Sequence, residues 1–126
     1  MAALDRDLLQ TVRAFGEDGE RYQRLVEPFV NRADVLLPQL LNPPFPLGNL
    51  RMLAGFARKG LSSAESLVEK NFKTPAIRGM FAGMAAHSVR PLETRLTGAV
   101  GLLFCITAHA SGWPLPRGGS HSIAAA

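Results

Sequence analysis

Leu96-Thr97-Gly98-Ala99-Val100-Gly101-Leu102-Leu103-Phe104-Cys105-Ile106-Thr107-Ala108-His109-Ala110 is the longest apolar stretch of the chain. Thr97, Thr107 and His109 interrupt it without creating a clear polar face. A membrane-spanning helix needs about 20 consecutive apolar residues, and this run is shorter. It therefore predicts a buried helix continuing to about Ser111. A helix that is apolar all round belongs in the middle of a fold.

On its C-terminal side, Gly112-Trp113-Pro114-Leu115-Pro116-Arg117-Gly118-Gly119 reads as a loop, with Ser120 as the cap of a short helix. On its N-terminal side, Arg90-Pro91 breaks the chain. Before that break, Thr74-Pro75 starts a helix, with threonine as N-cap and proline at the first helical position. This helix presents Ile77, Met80, Phe81 and Met84. Its Gly79 and Gly83, one turn apart, predict a close backbone approach. Ser62 and Glu65 form a capping-box pattern ahead of Leu67, Val68 and Phe72. Leu50, Leu53, Ala54 and Phe56 mark another helix, with Gly60 expected at C′.

Further toward the N-terminus, Tyr22, Leu25, Val26, Phe29, Ala33, Leu36, Leu37 and Leu40 form a helical stripe. Asp18 is its expected N-cap, and Pro28 and Pro38 predict kinks or breaks. Asn42-Pro43-Pro44-Phe45-Pro46 ends it. Leu4, Leu8, Val12 and Phe15 predict a first helix closed by Gly16. No segment shows the period-two alternation of strands. The expected fold is mainly α: an irregular array of about six helices.

The 126 residues amount to about one domain, with 47% hydrophobic and 19% charged residues, which argues against disorder. The net charge of +4 is spread over arginines from Arg6 to Arg117 rather than gathered in a run. No block of five like charges occurs, which disfavours nucleic-acid binding. Cys105 is the single cysteine, so neither an internal disulfide nor a paired-cysteine zinc site is available. The first residues reach charge at Asp5 with no apolar core of a signal peptide, and a cytoplasmic location is expected.

No glycine-rich phosphate loop follows a strand. His87, His109 and His121 lack metal-ligand spacing. His109, inside the apolar run, predicts a hydrogen-bonded structural histidine. His87 falls at a helix end, where the dipole favours it. Trp113, between glycine and proline, reads either as a lid on the core or as the lining of a pocket.

Arg78-Gly79-Met80-Phe81-Ala82-Gly83-Met84-Ala85-Ala86-His87-Ser88, Pro91-Leu92, Ala108-His109-Ala110-Ser111-Gly112-Trp113-Pro114 and Arg117-Gly118-Gly119-Ser120 form a string that resembles FAD-dependent oxidoreductases of the phytoene-desaturase-like family. Leu4-x-Arg6-Asp7-Leu8 and the Pro43-Pro44 break extend the likeness more weakly to the N-terminal half.

The resemblance implies that residues 1–126 are a partial helical substrate-binding domain of a larger α/β flavoprotein. Residues 112–126 begin the return to the flavin-binding domain. FAD would be the cofactor of the whole enzyme. This chain lacks the glycine motif that holds it, so no FAD is expected on the chain alone. The resemblance makes His87, Trp113 and Pro114 candidates to line the site of an apolar substrate. Gly118, Gly119 and Ser120 become candidates to lie near the flavin. The implied partner is the remainder of the flavoenzyme, and peripheral membrane contact is compatible with this reading. The natural cover of Leu96–Ala110 is then expected to be missing, which predicts self-association. The alternative is a stand-alone helical binding or scaffold protein without catalysis.

Overall fold

Side-chain caps set where three of the helices begin, and the computed structural model shows this over residues 3–42, 49–113, 117, 119 and 121–124. The candidates Pro114, Gly118 and Ser120 lie outside these described residues. Within them the chain is mainly helical, as expected, and contains no strand.

Helix α1 spans Leu8–Ala14 and begins later than the apolar spacing from Leu4 suggests. Asp7 is the reason: its backbone is extended and its carboxylate accepts the N–H groups of Leu9 and Gln10. Ahead of it, the buried Thr11 hydroxyl donates to the Asp5 carbonyl and accepts the Asp5 N–H, holding that segment out of the helix. Gly16, with φ +55°, ends α1 as expected.

Helices α2 (Gly19–Val30) and α3 (Ala33–Leu41) divide the long apolar stripe. Pro28 and Pro38 both sit inside helices, and the break falls instead at Asn31–Arg32. Pro28 removes the donor that would reach the Arg24 carbonyl one turn earlier. The Lys59 ammonium replaces it, donating to the Arg24 carbonyl at 3.2 Å and the Leu25 carbonyl at 3.0 Å. That bond ties α2 to helix α4 (Leu50–Gly60), which Asn49 caps.

Gly60 is not a left-handed C′ residue but the last residue of α4, and a Cβ there would press on Ala99 at 2.8 Å. Helix α5 (Ala64–Asn71) is capped by Ser63 rather than Ser62, one residue later than the capping-box pattern suggests. The Ser62 carbonyl is engaged elsewhere, accepting the Gly98 N–H. Helix α6 (Pro75–Ala85) starts with Thr74 as N-cap and Pro75 at its first position, as expected.

Helix α7 (Thr97–Ser111) is the centre of the fold, packed against α2 to α6. Leu102, Cys105 and Ile106 are fully buried. The expectation that α7 lacks its cover is therefore corrected: this chain's own helices supply it. The close approach also falls elsewhere than expected. Gly79 and Gly83 face open space, whereas a Cβ on Gly101 would meet the Phe81 ring at 2.7 Å. A last short helix, α8 (His121–Ala124), follows.

One strip of α7 remains partly open. Leu96 and Ser111 are exposed, and Val100, Leu103, Phe104 and Thr107 between them are half-buried. Their spacing of three and four residues places them on one face.

Candidate functional site

The open strip of α7 meets the end of α6. The chain leaves α6 through a tight turn, Ala86–Ser88, which carries His87 on the surface. His87 Nδ1 lies 3.3 Å from the carbonyls of Gly83 and Met84. Both partners can only accept, so Nδ1 carries the proton in the neutral ring and Nε2 is left as an acceptor. The ring lies against Phe104, with centroids 4.4 Å apart.

Phe104 in turn stacks on Trp113, at 5.6 Å and an interplanar angle of 10°. From Phe104 to the end of α7 the helix rises about 10 Å, so the chain must double back to place Trp113 there. Gly112 makes that reversal with φ +75° and ψ −172°, a conformation that costs glycine little. The product is a continuous aromatic row, His87–Phe104–Trp113, and Trp113 keeps 51% of its surface exposed.

Two of the sequence-derived candidates, His87 and Trp113, are thus brought together by Phe104, a residue sequence reasoning passed over. An all-apolar run conceals which of its members face outward. A phenylalanine within it and a tryptophan just past its end were the available signal. Gly119 has φ +76°, and no atom lies within 4 Å of where its Cβ would stand.

Beside the row, Ser88, Arg90, Arg95, Leu96, Thr97 and Val100 line a cleft of about 320 Å³. Val89 and Leu96 both adopt left-handed backbone, at φ 54° and 75°, while remaining exposed. Such a conformation strains a β-branched or bulky residue, and strain of this kind concentrates at functional segments. The Ser88 hydroxyl oxygen is buried, with no hydrogen-bond partner among the described residues.

Other chemically capable side chains are used structurally. His109 Nε2 accepts from the buried Tyr22 hydroxyl at 2.8 Å, and its Nδ1 donates to the Arg6 carbonyl at 3.3 Å. Burial holds the His109 pKa below its usual value, against the raising effect of the Arg6 and Asp5 carbonyls and the Asp5 and Asp7 carboxylates. Burial pushes the Cys105 thiol up to about 12, so it is no nucleophile near neutrality. Among the described residues, no group of three or more His, Cys, Asp or Glu side chains is placed to hold a metal ion. No described helix is long and apolar enough to cross a membrane.

A dinucleotide diphosphate needs open backbone donors at a helix N-terminus. Here donors at the starts of α1, α4 and α5 are engaged by Asp7, by Asn49, and by Ser63 with Thr97, while Asp18 takes the Lys73 and Thr74 N–H groups just ahead of α6. No protein-family model, curated protein or solved structure matches this chain.

Proposed function

We propose that this chain is the helical substrate-binding region of an FAD-dependent oxidoreductase of the phytoene-desaturase-like class, acting on an apolar substrate in the cytoplasm. The observation that carries this reading is the aromatic row His87–Phe104–Trp113. It joins two separate stretches of the family-like string through a residue belonging to neither. Flat apolar rings beside the open strip of α7 suit a long hydrocarbon, which needs surface contact and exclusion of water more than hydrogen bonds. The flavin would supply the redox chemistry when bound by residues outside this chain. The residues here would orient the substrate, with His87 Nε2 as a hydrogen-bond acceptor at the edge of the row.

Trp113 is the only tryptophan, so its fluorescence reports this site alone. Titration with a conjugated polyene fatty acid should quench it saturably, and Phe104→Ala should weaken the effect about tenfold, the scale of one lost aromatic contact in an apolar site. Quenching that is linear and indifferent to Phe104→Ala sinks the proposal.

The second reading, a stand-alone helical binding protein, is favoured by one observation: apart from its open strip, α7 is covered by the chain's own helices. Retention of the chain by a separately expressed flavin domain favours the first reading. Polyene binding without such retention favours the second.

A further inference from the structure

The arginines look dispersed along the sequence, yet folding gathers them. Arg21 and Arg24 come from α2, Arg58 and Lys59 from the end of α4, and Lys70 from the end of α5. These five cations line one open cleft of about 590 Å³, with Ser62 and Asn71 as polar neighbours and no carboxylate in its wall. An adjoining cleft shares Arg58 and Lys59 and adds Arg32 and Arg51, again without a carboxylate. Half of the chain's fourteen Lys and Arg side chains thus border two concavities that share Arg58 and Lys59. This is more than an evenly solvated basic surface would give.

Their pairing is sparse. Arg24 alone among the five has an ion pair, with Glu20 at 3.6 Å, and both groups are largely exposed. Arg21, Arg58 and Lys70 have none among the described residues. Lys59 is fixed by the carbonyls of Arg24 and Leu25. Burial first, then the neighbouring Arg58 charge, lower its ammonium pKa. Like charges held around a concavity focus a positive potential into it. Guanidinium groups suit the paired oxygens of a phosphate, which they bind in bidentate fashion.

The lining also says what is not recognised. No aromatic side chain borders the larger cleft, so it offers no surface on which a base could stack. Its apolar contribution is limited to Leu25 and Leu67, both buried.

We propose that the cleft between α2, α4 and α5 is a binding site for a compact, multiply charged phosphate group, either a free oligophosphate or the headgroup of a phosphoinositide. The site shares no residue with the aromatic row and does not depend on the flavoenzyme reading.

Isothermal titration of the full chain with inorganic tripolyphosphate should show saturable binding that weakens steeply with salt. Arg58→Ala and Lys70→Ala should each weaken it about tenfold, the scale of one lost charge-assisted hydrogen bond. Arg13→Ala, on α1 and outside the cleft, should leave it unchanged. Thermal melts identify any variant that fails to fold, and either cleft variant alone suffices. Co-sedimentation with phosphatidylcholine vesicles doped with a phosphoinositide separates the sources. Sedimentation abolished by tripolyphosphate assigns the lipid headgroup, and tripolyphosphate binding without sedimentation assigns the free anion. Absence of saturable binding to both probes overturns the proposal. So does an equal loss in Arg13→Ala and Arg58→Ala, or equal binding to phosphatidylserine vesicles that tripolyphosphate cannot displace.

Discussion

The Asp18 carboxylate, fully buried, accepts the Thr74 N–H at 2.8 Å and the Thr74 hydroxyl at 2.7 Å, and takes the Lys73 N–H as well. The side chain expected to cap its own helix thus anchors the start of another, 56 residues away. Asp18→Ala should cost about 2–3 kcal/mol, because it leaves the Lys73 and Thr74 backbone donors without a partner. Thr74→Val, which removes only the hydroxyl, should cost about 1 kcal/mol. Urea unfolding of both variants measures the difference, and equal costs would show that the backbone donors are satisfied without Asp18.

The same network makes stability depend on pH. Burial raises the Asp18 pKa, but the Thr74 and Lys73 hydrogen bonds and the Arg21 charge outweigh it, leaving the pKa below 3.8. The His109 pKa is likewise held below 6.5, chiefly by burial. In both cases the unfolded chain takes up protons first, so stability falls as pH falls. His109 contributes to the loss below about pH 6.5 and Asp18 below about pH 3.8. Cys105 acts at the other end: raised from 9.0 to about 12, it lets the unfolded chain ionise first as pH rises above 9.0. Denaturant midpoints across pH should show these limbs. His109→Gln should flatten the first and leave the Asp18 limb in place.

Pro28 and Lys59 form a testable pair. Lys59→Met should destabilise by about 1–2 kcal/mol, since the Arg24 carbonyl then has no donor inside the helix. Adding Pro28→Ala should recover most of that loss by restoring the backbone N–H. A double-mutant cycle gives the coupling directly. Strict additivity would mean that Lys59 and Pro28 act independently.

How much of this was legible in the sequence follows from the range of each interaction. The central helix, the Thr74-Pro75 start and the absence of strands among the described residues were readable because composition and neighbours within one turn decide them. The break at Asn31–Arg32 was not, because the donor that Pro28 lacks is supplied by a lysine from another helix. The cap of α5 slipped by one residue because the Ser62 carbonyl is claimed by Gly98, and the Ala64 N–H by Thr97. For the candidate site, sequence supplied His87 and Trp113 but not the Phe104 between them. It also gave no hint that dispersed arginines converge.

The glycines give a contrast that inverts the sequence expectation. Gly79→Ala and Gly83→Ala face open space in a helix and should stabilise by about 0.5–1 kcal/mol each. Gly101→Ala should destabilise by about 1–3 kcal/mol, since its methyl group would overlap the buried Phe81 ring. Thermal melts of the three variants decide the matter. A stabilised Gly101→Ala would mean that Phe81 can move aside.

The aromatic row supports the last prediction, which concerns order rather than ligand. Trp113 is held over Phe104 by two things: the Gly112 reversal and the stacking contact. Gly112→Ala imposes a left-handed backbone on alanine and should release the tryptophan while leaving the core intact, because Gly112 is not fully buried. Phe104→Ala removes the stacking partner and should give the same result by a different route. Both variants should show red-shifted, more easily quenched emission with acrylamide, since a half-exposed ring becomes fully exposed. His87→Ala removes a neighbour of Phe104, not of Trp113, and should leave the emission nearly unchanged. This ordering separates a preorganised wall from an incidental contact. A preorganised wall loses its shape when either support is removed, whereas an incidental contact leaves Trp113 emission the same in all three variants. That second outcome would also remove the aromatic row as the basis for assigning an apolar substrate to this face.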